Sequence, residues 1–513
     1  MRALLSVYDK TGIEAFARGL AELGFELVAS GGTSMALLKA GIAHREVAEV
    51  TGAAEMLGGR VKTLHPSIHG GILADRSLPG HLEDLEARGI TPIDLVACNL
   101  YPFTSAPSVE LIDVGGPTMV RAAAKNFAHV AVVVDPADYG TVLDELRLGG
   151  AVGNATRRRL ARAAFAHTAA YDAAIVAWFD GPDGPPPVAG EVLPPSIHLA
   201  LERAAPLRYG ENPHQAGARY RMAAGTGATG FWEAAVQHGG RELSYLNLFD
   251  AEAAWRLAYE LLELDPDGAA SVIVKHANPC GAALRGEAVA AYAAAFSADP
   301  VSAFGGIVAV TAPVDLALAE AVVANPVADV LIAPAIDPDA AALLAAKRKN
   351  LRALSAPPPS APTLSLRQVD GGFLVQEPDR FLVPRSGWRV VTRAQPDTAT
   401  WRDLEVAWRV AARTSSNTIV LVKDATAYGV GCGQQNRVDA AGLAAAKADG
   451  RAAGGAAASD AFFPFRDGFD AVADAGVAAV VQPGGSVRDD EVVAAADERG
   501  IAMVLTGERH FRH

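Results

Sequence analysis

The 513-residue sequence predicts an α/β protein with more than one domain. Over roughly the first 180 residues, short apolar runs alternate with stretches of helical periodicity, which is typical of a mostly parallel sheet covered by helices. Half of the residues are hydrophobic and 20% are charged, as in globular proteins rather than disordered chains. The length exceeds that of one ordinary core, so two to four domains are expected.

The elements of the first half are predicted in chain order. Short apolar runs indicate buried strands at residues 3–7, 26–29, 95–99 and 130–134, and helices are expected at residues 13–23, 34–40 and 118–127. Residues 181–187 (GPDGPPP) are the best linker candidate, and turn-rich sequence continues to about residue 197. The predicted domains are therefore residues 1–196 and 197–513.

The second half carries a weak internal repeat. Residues 272–277 (VIVKHA) resemble residues 420–425 (VLVKDA), and each run ends an apolar strand in lysine. About 30–40 residues later, each is followed by an aspartate and a phenylalanine, at residues 298–305 (ADPVSAFG) and 459–463 (SDAFF). Matches this short also arise by chance in an alanine-rich chain. A true duplication predicts two similar α/β lobes with a ligand between them, at roughly residues 197–365 and 366–513.

Charge and cysteine content exclude several classes of function. The net charge of −13 repels nucleic acid and anionic membranes, so no such partner is expected and any phosphate site must be a local basic pocket. No run approaches the roughly 20 apolar residues of a membrane helix. The three cysteines form no CxxC pair, which favours a reducing cytoplasm over a disulfide framework.

Three motifs of the first half indicate an anionic ligand. Residues 30–33 (SGGT) lie between a strand and a helix, where glycines allow close backbone approach and the helix offers free N–H groups, although an ordinary turn has the same pattern. Residues 59–66 (GRVKTLHP) place Arg60 and Lys62 on one face if extended, and a solvated basic face is the alternative.

The third motif, residues 113–126 (DVGGPTMVRAAAKN), predicts a helix with Pro117 in its first turn. Arg121 and Lys125 are then four residues apart, where like charges repel. Either Asp113 or a bound phosphate would offset that repulsion, and a solvated pair is the alternative.

In the second half, residues 275–281 (KHANPCG) follow a predicted strand at its carboxyl end, where open α/β sheets bind ligands. The neighbouring cation of Lys275 favours a neutral His276 that can accept a proton, although an isolated histidine in a turn is more often structural. Residues 208–215 (RYGENPHQ) indicate either a binding loop or a surface loop. The aromatic residues of 462–468 (FFPFRDG) indicate either core packing or a flat surface for a fused-ring ligand. Residues 482–486 (QPGGS) are a candidate anion-binding loop.

A zinc deaminase site is disfavoured. Such sites require H-x-E and P-C-x-x-C motifs. Pro279 and Cys280 lack the second cysteine, and Cys432 has no partner in the sequence. No metal is predicted.

Taken together, these motifs resemble the bifunctional phosphoribosylaminoimidazolecarboxamide (AICAR) formyltransferase / IMP cyclohydrolase family, whose order they follow along essentially the whole chain. The motifs are SGGT, GRVKTLHP, ACNLYPF, DVGGPTMVRAAAKN, RYGENPHQ, VKHANPCG, SAFGG, SDAFFPFRDG and QPGGSVRDDEV. The resemblance implies an N-terminal cyclohydrolase domain similar to methylglyoxal synthase, and a C-terminal transformylase half made of two cytidine-deaminase-like lobes without zinc. It also implies a homodimer with transformylase sites shared across its interface.

The activity implied by the resemblance is formyl transfer from 10-formyltetrahydrofolate, a cosubstrate, to AICAR. The product, FAICAR, would then be cyclised to IMP with loss of water, completing purine biosynthesis. One alternative is a transformylase whose first domain binds nucleotide for regulation without cyclohydrolase activity. A second is an allosteric or scaffolding nucleotide-binding protein with no catalysis.

The resemblance also implies the residues of the cyclohydrolase site. Lys125 would be the acid/base, aided by Asp113 and Tyr101. The family usually has serine where this chain has Tyr8, which puts a contact from that position in doubt. The nucleotide would be held by Asp9, Lys10, Ser30, Gly31, Gly32, Thr33, Arg60, Val61, Lys62, Thr63, Cys98, Asn99, Asp113 and Val114.

For the transformylase, the resemblance implies catalysis by Lys275 and His276 and folate binding near Val438 and Asp467. The assignment of Asp329 rests only on the following residues 331–334 (LIAP). The nucleotide would be held by Arg208, Tyr209, His276, Gly305, Asp329, Asn417, Arg437, Phe462, Ser486, Val487 and Arg509.

Overall fold

A computed structural model describes residues 1–181, 193–223, 230–361 and 364–513 of the chain. Apart from Gly181, the predicted linker at residues 181–187 lies outside the described residues. The chain divides into two compact units, the first made of Met1–Glu202 and Tyr220–Ala228, the second of Arg203–Arg219 and Thr229–His513. The predicted boundary at residues 196/197 stays a prediction.

The first unit is built on a five-stranded parallel sheet with the strand order β3-β2-β1-β4-β5. The strands are β1 (Arg2–Val7), β2 (Glu26–Ala29), β3 (Arg45–Glu46), β4 (Leu95–Asn99) and β5 (Ala131–Val133). The helices are α1 (Ile13–Glu22), α2 (Gly31–Lys39), α3 (Val47–Thr51), α4 (Pro66–Leu73), α5 (Pro79–Ala87), α6 (Gly115–Lys125), α7 (Tyr139–Gly149) and α8 (Asn154–Phe179). All four predicted strands are present, and the α/β class is confirmed.

Helices α2 and α6 begin three residues before their predicted starts. The cause at α6 is Asp113, whose side-chain oxygen accepts the N–H of Gly116 at 2.9 Å and so satisfies a donor of the first helical turn. At α2, Ser30 is extended and the helix begins at Gly31. The glycines of both motifs therefore lie inside the first helical turn. Those of α2 can offer their N–H groups to a ligand, whereas the N–H of Gly116 is taken by Asp113.

The strand order creates a crevice at the carboxyl end of the sheet. From β1 the chain crosses over to β2 on one side, whereas β4 pairs with β1 on the other side. Such a reversal separates the loops that follow the two strands, and open α/β sheets bind ligands there. Fully buried side chains such as Leu4 and Val96 fill the strands below it.

The second unit contains a twelve-stranded mixed sheet with the order β16-β21-β20-β19-β17-β18-β10-β9-β11-β12-β13-β8. Two hairpins, β6–β7 and β14–β15, form separate two-stranded sheets, and residues 201–202 of β6 and 220–222 of β7 belong to the first unit. The strands are β6 (Leu201–Leu207), β7 (Gly217–Met222), β8 (Val236–Gly239), β9 (Ala269–Lys275), β10 (Asn278–Arg285), β11 (Ile307–Val310), β12 (Val330–Ala333), β13 (Arg352–Ser355), β14 (Ser365–Val369), β15 (Gly372–Gln376), β16 (Arg389–Val390), β17 (Ile419–Lys423), β18 (Thr426–Gly431), β19 (Ala456–Ser459), β20 (Ala479–Gln482) and β21 (Ala502–Leu505). The helices are α9 (Tyr245–Leu262), α10 (Ala288–Ala298), α11 (Pro300–Ala303), α12 (Leu316–Ala324), α13 (Pro338–Lys347), α14 (Thr398–Ala412), α15 (Arg437–Ala448), α16 (Arg466–Ala473) and α17 (Asp489–Arg499).

This sheet consists of two lobes with the same connectivity. The first lobe runs from α9 through β9, β10 and α10 to β13, and the second from α14 through β17, β18 and α15 to β21. Antiparallel pairing of β10 with β18 joins them. Trp255 of α9 and Trp408 of α14 are fully buried in one shared core, whereas each lobe has its own core on the opposite face.

The predicted repeat is correct for its first element and wrong for its second. Lys275 ends β9 as Lys423 ends β17, and their ammonium groups donate to the carbonyl oxygens of Phe304 and Gly454, at 2.8 and 2.9 Å. The structural equivalent of residues 299–304 is therefore the segment before β19. Residues 459–463 follow β19 instead, because a shared aspartate and phenylalanine carry no information on strand order.

We predict that Gly281→Ala destabilises the second unit by about 3 kcal/mol, because an added Cβ would lie 2.0 Å from the carbonyl oxygen of Ala295 on α10. The control is Gly442→Ala, in α15, where nothing lies within 4 Å of the added Cβ. This control should stabilise by about 0.5–1 kcal/mol, as expected for an exposed helical glycine. Denaturant unfolding measures both, and equal midpoints would contradict the packing described.

Candidate active sites

The first candidate site is the crevice where β1, β2 and β4 end, here called the β1–β4 crevice. Asn99, at the end of β4, accepts the backbone N–H groups of Tyr8 and Asp9 at 2.6 and 2.9 Å. The hydroxyl of Thr33 accepts the N–H of Val7 at 3.0 Å. These bonds fix the loop after β1 between the two neighbouring loops.

Two lysines face the glycines of α2. The ammonium of Lys62 lies 3.6 Å from where a Cβ on Gly31 would be, and that of Lys10 lies 3.4 Å from the corresponding point on Gly32. A helix N-terminus with two cations beside it suits a phosphate group. Lys62 also pairs with Glu55 at 2.7 Å, and Arg60 with Glu110 at 2.5 Å, so a ligand would exchange exposed carboxylates for its own anion.

Asp113 lies two residues before α6, which begins at Gly115. Burial raises the pKa of the Asp113 carboxyl, against the opposing effect of the N–H groups of Gly116 and Gly115. The Tyr171 hydroxyl accepts the N–H of Asp113 at 2.8 Å and donates to the carbonyl oxygen of Leu111, which fixes the approach to α6. A carboxyl of raised pKa at a helix N-terminus is suited to proton exchange with a ligand.

Thr63 connects the basic motif to α6. Its hydroxyl lies 3.0 Å from where a Cβ on Gly115 would be, and its side chain is buried. The exposed rings of Tyr8 and Tyr101 meet edge to face, 5.5 Å apart. Position 8, where the family usually has serine, therefore contacts the predicted catalytic tyrosine.

Lys125 is placed differently from the other predicted residues. It ends α6, ten residues after Gly115, which corresponds to about 15 Å of helix. Its side chain lines a separate cavity between α4, α6 and α8. Among the remaining predicted residues, Cys98 is fully buried in β4 and Val114 is exposed before α6, and Val61 bridges to Met56.

The second candidate site is one edge of the twelve-stranded sheet, here called the His276 edge. Strand β9 runs antiparallel to β10 and β11, β10 antiparallel to β18, and β17 antiparallel to β18 and β19. The carboxyl ends of β9, β18 and β19–β21 therefore meet the amino ends of β10–β13 and β17. The predicted residues that adjoin these strand ends are Lys275, His276, Gly305, Asp329, Asn417, Arg437, Phe462, Ser486 and Val487.

His276 lies in a turn held by a buried carboxylate. His276 and Ala277 both have positive φ angles, of 53° and 58°, which are unfavourable for residues with a side chain. Asp250 of α9 accepts both of their N–H groups, at 3.1 and 2.8 Å, and so stabilises the turn. The turn directs the His276 side chain outward, where it is exposed.

The same turn is tied to the second lobe by the C-terminal tail. The Arg512 guanidinium donates to the carbonyl oxygen of Ala277 at 2.6 Å and also to that of Arg413. Ser416 donates its N–H to the carbonyl oxygen of Arg512 at 2.9 Å. The side chain of Asn278 accepts the N–H of Ser415 at 2.8 Å. These bonds place Asn417 beside the histidine turn.

Arg437 is fixed by a buried acidic group. Asp460, which is fully buried, accepts the Arg437 guanidinium at 3.0 Å, the Ser416 hydroxyl at 2.5 Å and the N–H of Thr418 at 3.2 Å. Burial lowers the pKa of Arg437, and Asp460 opposes that effect. The side chain of Asn417 donates to the carbonyl oxygen of Gln434 at 3.0 Å, so these groups form one network.

The other predicted residues are distributed around this edge. The carbonyl oxygen of Gly306 accepts the N–H of Asp329 at 2.9 Å, which places the backbone of Gly305 near that of Asp329. Arg208 lies over the ring of Tyr209, with its guanidinium 5.0 Å from the ring centroid. Burial lowers the pKa of Arg352 of β13, an effect that Asp329 opposes and the charge of Arg208 reinforces. Val487, Val438 and Asp467 are exposed, and Arg509 packs over Phe511 at 4.2 Å.

Two family models match the chain. The AICARFT/IMPCHase bienzyme model matches residues 123–447 and the MGS-like domain model matches residues 12–125. The first match alone covers more than half of the sequence. The chain belongs to the AICARFT/IMPCHase bienzyme family. Among solved structures, one described as "Crystal structure of ForH" is 42% identical, with a match that covers 35% of this chain and 99% of that one at a TM-score of 0.33.

Family membership confirms the resemblance found in the sequence and the MGS-like nature of the N-terminal domain. It supports formyl transfer and IMP cyclohydrolysis in purine biosynthesis at the level of the family. Within the described residues, no group of three or more His, Cys, Asp or Glu could hold a metal ion. In the same part of the chain, no helix has the length and apolar character needed to span a membrane.

Sequence reasoning missed three groups that position the AICARFT/IMPCHase site residues: Asp250, Asp460 and Arg512. A signal for Asp250 exists. Residues 250–255 (DAEAAW) repeat as residues 403–408 (DLEVAW), and Asp403 accepts the N–H groups of Asp424 and Ala425 as Asp250 does at the equivalent turn. Asp460 and Arg512 carry no such local signal, since their partners are far away in sequence.

We predict that Asp250→Asn lowers formyl transfer at least about tenfold, because the amide nitrogen would face an N–H donor and the His276 turn would lose one of its two bonds. Asp403→Asn is the matched control at the equivalent turn of the second lobe. It should cost similar stability and leave transfer near the wild-type rate. Steady-state transfer rates and melting temperatures of both variants decide the matter, and equal losses of rate would show that the effect is only one of stability.

Proposed function

We propose that this chain transfers a formyl group from 10-formyltetrahydrofolate to AICAR at the His276 edge and closes FAICAR to IMP at the β1–β4 crevice. One observation carries the proposal: an exposed histidine beside a lysine, in a strained turn held by Asp250 and Arg512, next to Asn417 and Arg437. Strained backbone that the surroundings hold in place is typical of functional sites.

Formyl transfer requires a proton acceptor, because the carboxamide-substituted ring withdraws the lone pair of the amine. A neutral His276 would accept the amine proton as nitrogen attacks the formyl carbon. The resulting tetrahedral oxyanion would be stabilised by Lys275, whose ammonium gives one hydrogen to Phe304 and retains two. Collapse breaks the bond between the formyl carbon and the folate nitrogen, and the proton that His276 took from the amine would pass to that nitrogen as it leaves.

The nucleotide and the folate would be held by groups around these two residues. Asn417 and Arg437 are fixed by the Asp460 network, so they offer a preorganised contact to an anionic nucleotide. The exposed Val438, at the start of α15, and Asp467, at the start of α16, are proposed to border the folate, and the partly buried ring of Phe462 the nucleotide. A homodimer that completes this site, as the family resemblance implies, belongs to the same proposal.

Ring closure would take place over α2 and α6. The phosphate is proposed to lie at the glycines of α2 between Lys10 and Lys62, and the carboxamide at the start of α6 near Asp113. The reaction joins the amide nitrogen to the formyl carbon and releases water, and a positioned nitrogen supplies much of the lowering of the barrier. Asp113, just before this helix, would be the group that exchanges a proton with the carboxamide during closure.

The alternative is a transformylase whose first unit binds nucleotide without closing the ring. Lys125 and Asp113 belong to opposite ends of α6. If closure requires Lys125, this separation favours a first unit that only binds nucleotide. Measured closure of purified FAICAR by the wild-type chain would exclude the alternative.

We expect a two-stage absorbance trace when AICAR and 10-formyltetrahydrofolate are mixed with the chain. His276→Ala should lower transfer at least about 100-fold, as expected for the loss of a general base, and leave closure of added FAICAR intact. The control is His238→Ala, whose imidazole hydrogen bonds to Ser355 at the carboxyl end of β13, at the other edge of the sheet. Transfer unaffected by His276→Ala would refute the assignment.

For the second reaction, we predict that Lys62→Ala slows closure of FAICAR about 100-fold and raises its KM, because one cation of the phosphate cradle is lost. Lys39→Ala, on the exposed end of α2, should change neither value. Lys125→Ala belongs in the same experiment, since unchanged closure would remove its implied acid/base role. Retention of full activity in Lys62→Ala would place the reaction elsewhere.

The pH dependence of closure tests Asp113. Because burial raises its pKa above the ordinary value of 3.8, its carboxylate is lost at a higher pH than that of a solvated aspartate. We expect kcat/KM to fall on the acid side as the pH drops through this raised pKa, and Asp113→Asn to remove that limb together with most of the activity. An unchanged acid limb in the variant would assign it to another group.

A further inference from the structure

A cavity of about 980 Å³ lies between α4, α6 and α8 of the first unit, and its lining residues differ from the side chains that meet in the β1–β4 crevice. Four cations line it: Arg121, Lys125, Arg158 and Arg162. The rest of the lining is largely apolar and includes Leu64, Leu73, Phe127 and Phe165, together with Thr118 and His69. Acidic side chains do not occur among the described lining residues, although the whole chain carries a net charge of −13.

The four cations stand in two like-charged pairs. Arg121 and Lys125 are four residues apart on α6, and Arg158 and Arg162 are four residues apart on α8, an arrangement that destabilises each helix by a few tenths of a kcal/mol. Asp113 does not offset the first pair, since it precedes the opposite end of α6. A cluster of this kind is stabilised when an anion binds among the cations.

None of the four forms an ion pair with any residue that the structure describes. The adjacent arginines of α8 show the contrast. Arg159 pairs with Asp138 at 2.7 Å, and Arg157 donates to the carbonyl oxygen of Phe127 at 2.9 Å. Among the described residues, the three cavity arginines have neither a carboxylate partner like that of Arg159 nor a carbonyl partner like that of Arg157.

The cavity also offers a surface for a flat, apolar group. The ring of Phe165 is 41% exposed and lies 5.6 Å from the guanidinium carbon of Arg121. Among the described residues, the buried Nε2 atom of His69 has no hydrogen-bond partner. An aromatic face, one free polar atom and several cations together match a ligand with both a heterocycle and a multiply charged tail.

We propose that this cavity binds a nucleoside triphosphate, with the phosphates among the four cations and the base against Phe165. The volume lies within the roughly 300–1,000 Å³ of small-molecule pockets, and the charge of a triphosphate chain is comparable to that of the four cations. The site goes beyond the proposed function: Lys125 is shared with the implied cyclohydrolase residues, whereas Arg158, Arg162 and Phe165 are assigned to neither reaction. Through this site, a nucleotide that is not a substrate could bind to the enzyme and regulate it.

Isothermal titration of the full chain with ATP tests the site. We expect one ATP per chain, affinity that falls with added salt, and at least tenfold weaker binding of tripolyphosphate and of adenosine. The double variant Arg158→Gln/Arg162→Gln should weaken ATP binding at least tenfold. The control is Arg159→Gln, on the same helix, which should not. Absence of ATP binding, or equal loss in the control, would overturn the proposal.

Competition and activity separate this site from the proposed active sites. ATP binding should persist in saturating IMP and in Lys62→Ala, and the double variant should keep wild-type formyl transfer and ring closure without ATP. Loss of ATP binding under either condition would place ATP in the β1–β4 crevice and refute a separate site. If the double variant dissociates an oligomer and leaves ATP affinity unchanged, a second copy of the chain occupies the cavity, and the proposal is wrong.

Discussion

The antiparallel pairing of β10 with β18 is the constraint on which the larger unit depends. Ala282 pairs with Ala427 and Ala283 with Thr426, and through these contacts two lobes share one sheet and one core around Trp255 and Trp408. The pairing also aligns the strand ends. Because it is antiparallel, the carboxyl ends of one lobe's parallel strands meet the amino ends of the other's, so each edge of the sheet combines groups from both lobes.

The two edges are alike in backbone and differ in chemistry. At one edge the positive-φ turn carries His276 and Ala277, and at the other the equivalent turn carries Asp424 and Ala425. A buried aspartate holds each turn in the same way. The carboxylate of Asp424 cannot replace the imidazole as a neutral base beside a lysine. Both lobes therefore keep the geometry of the turn, but only the turn of the first lobe carries a histidine.

Electrostatics organise the first unit on a smaller scale. Several cations of this unit are paired with nearby carboxylates, as Arg60 is with Glu110 and Lys62 with Glu55. The carboxylates of both pairs are exposed, where an ion pair contributes little to stability, so a phosphate can displace them at small cost. The cations between α4, α6 and α8 lack even these partners, which sets that cavity apart from the crevice above β1 and β4.

The sequence by itself determined the α/β class, the four main strands of the first sheet, the family and the location of the glycine motifs, because strand–helix alternation and glycine before a helix are local patterns. Only the tertiary structure decided which groups meet. Arg512 reaches Ala277 across 235 residues, and Lys125 is separated from Asp113 although both belong to one motif. Hydrogen-bond partners that are far apart in the sequence are brought together by strand pairing. The direction of a helix decides which end of a motif reaches a site. Local periodicity encodes neither of these.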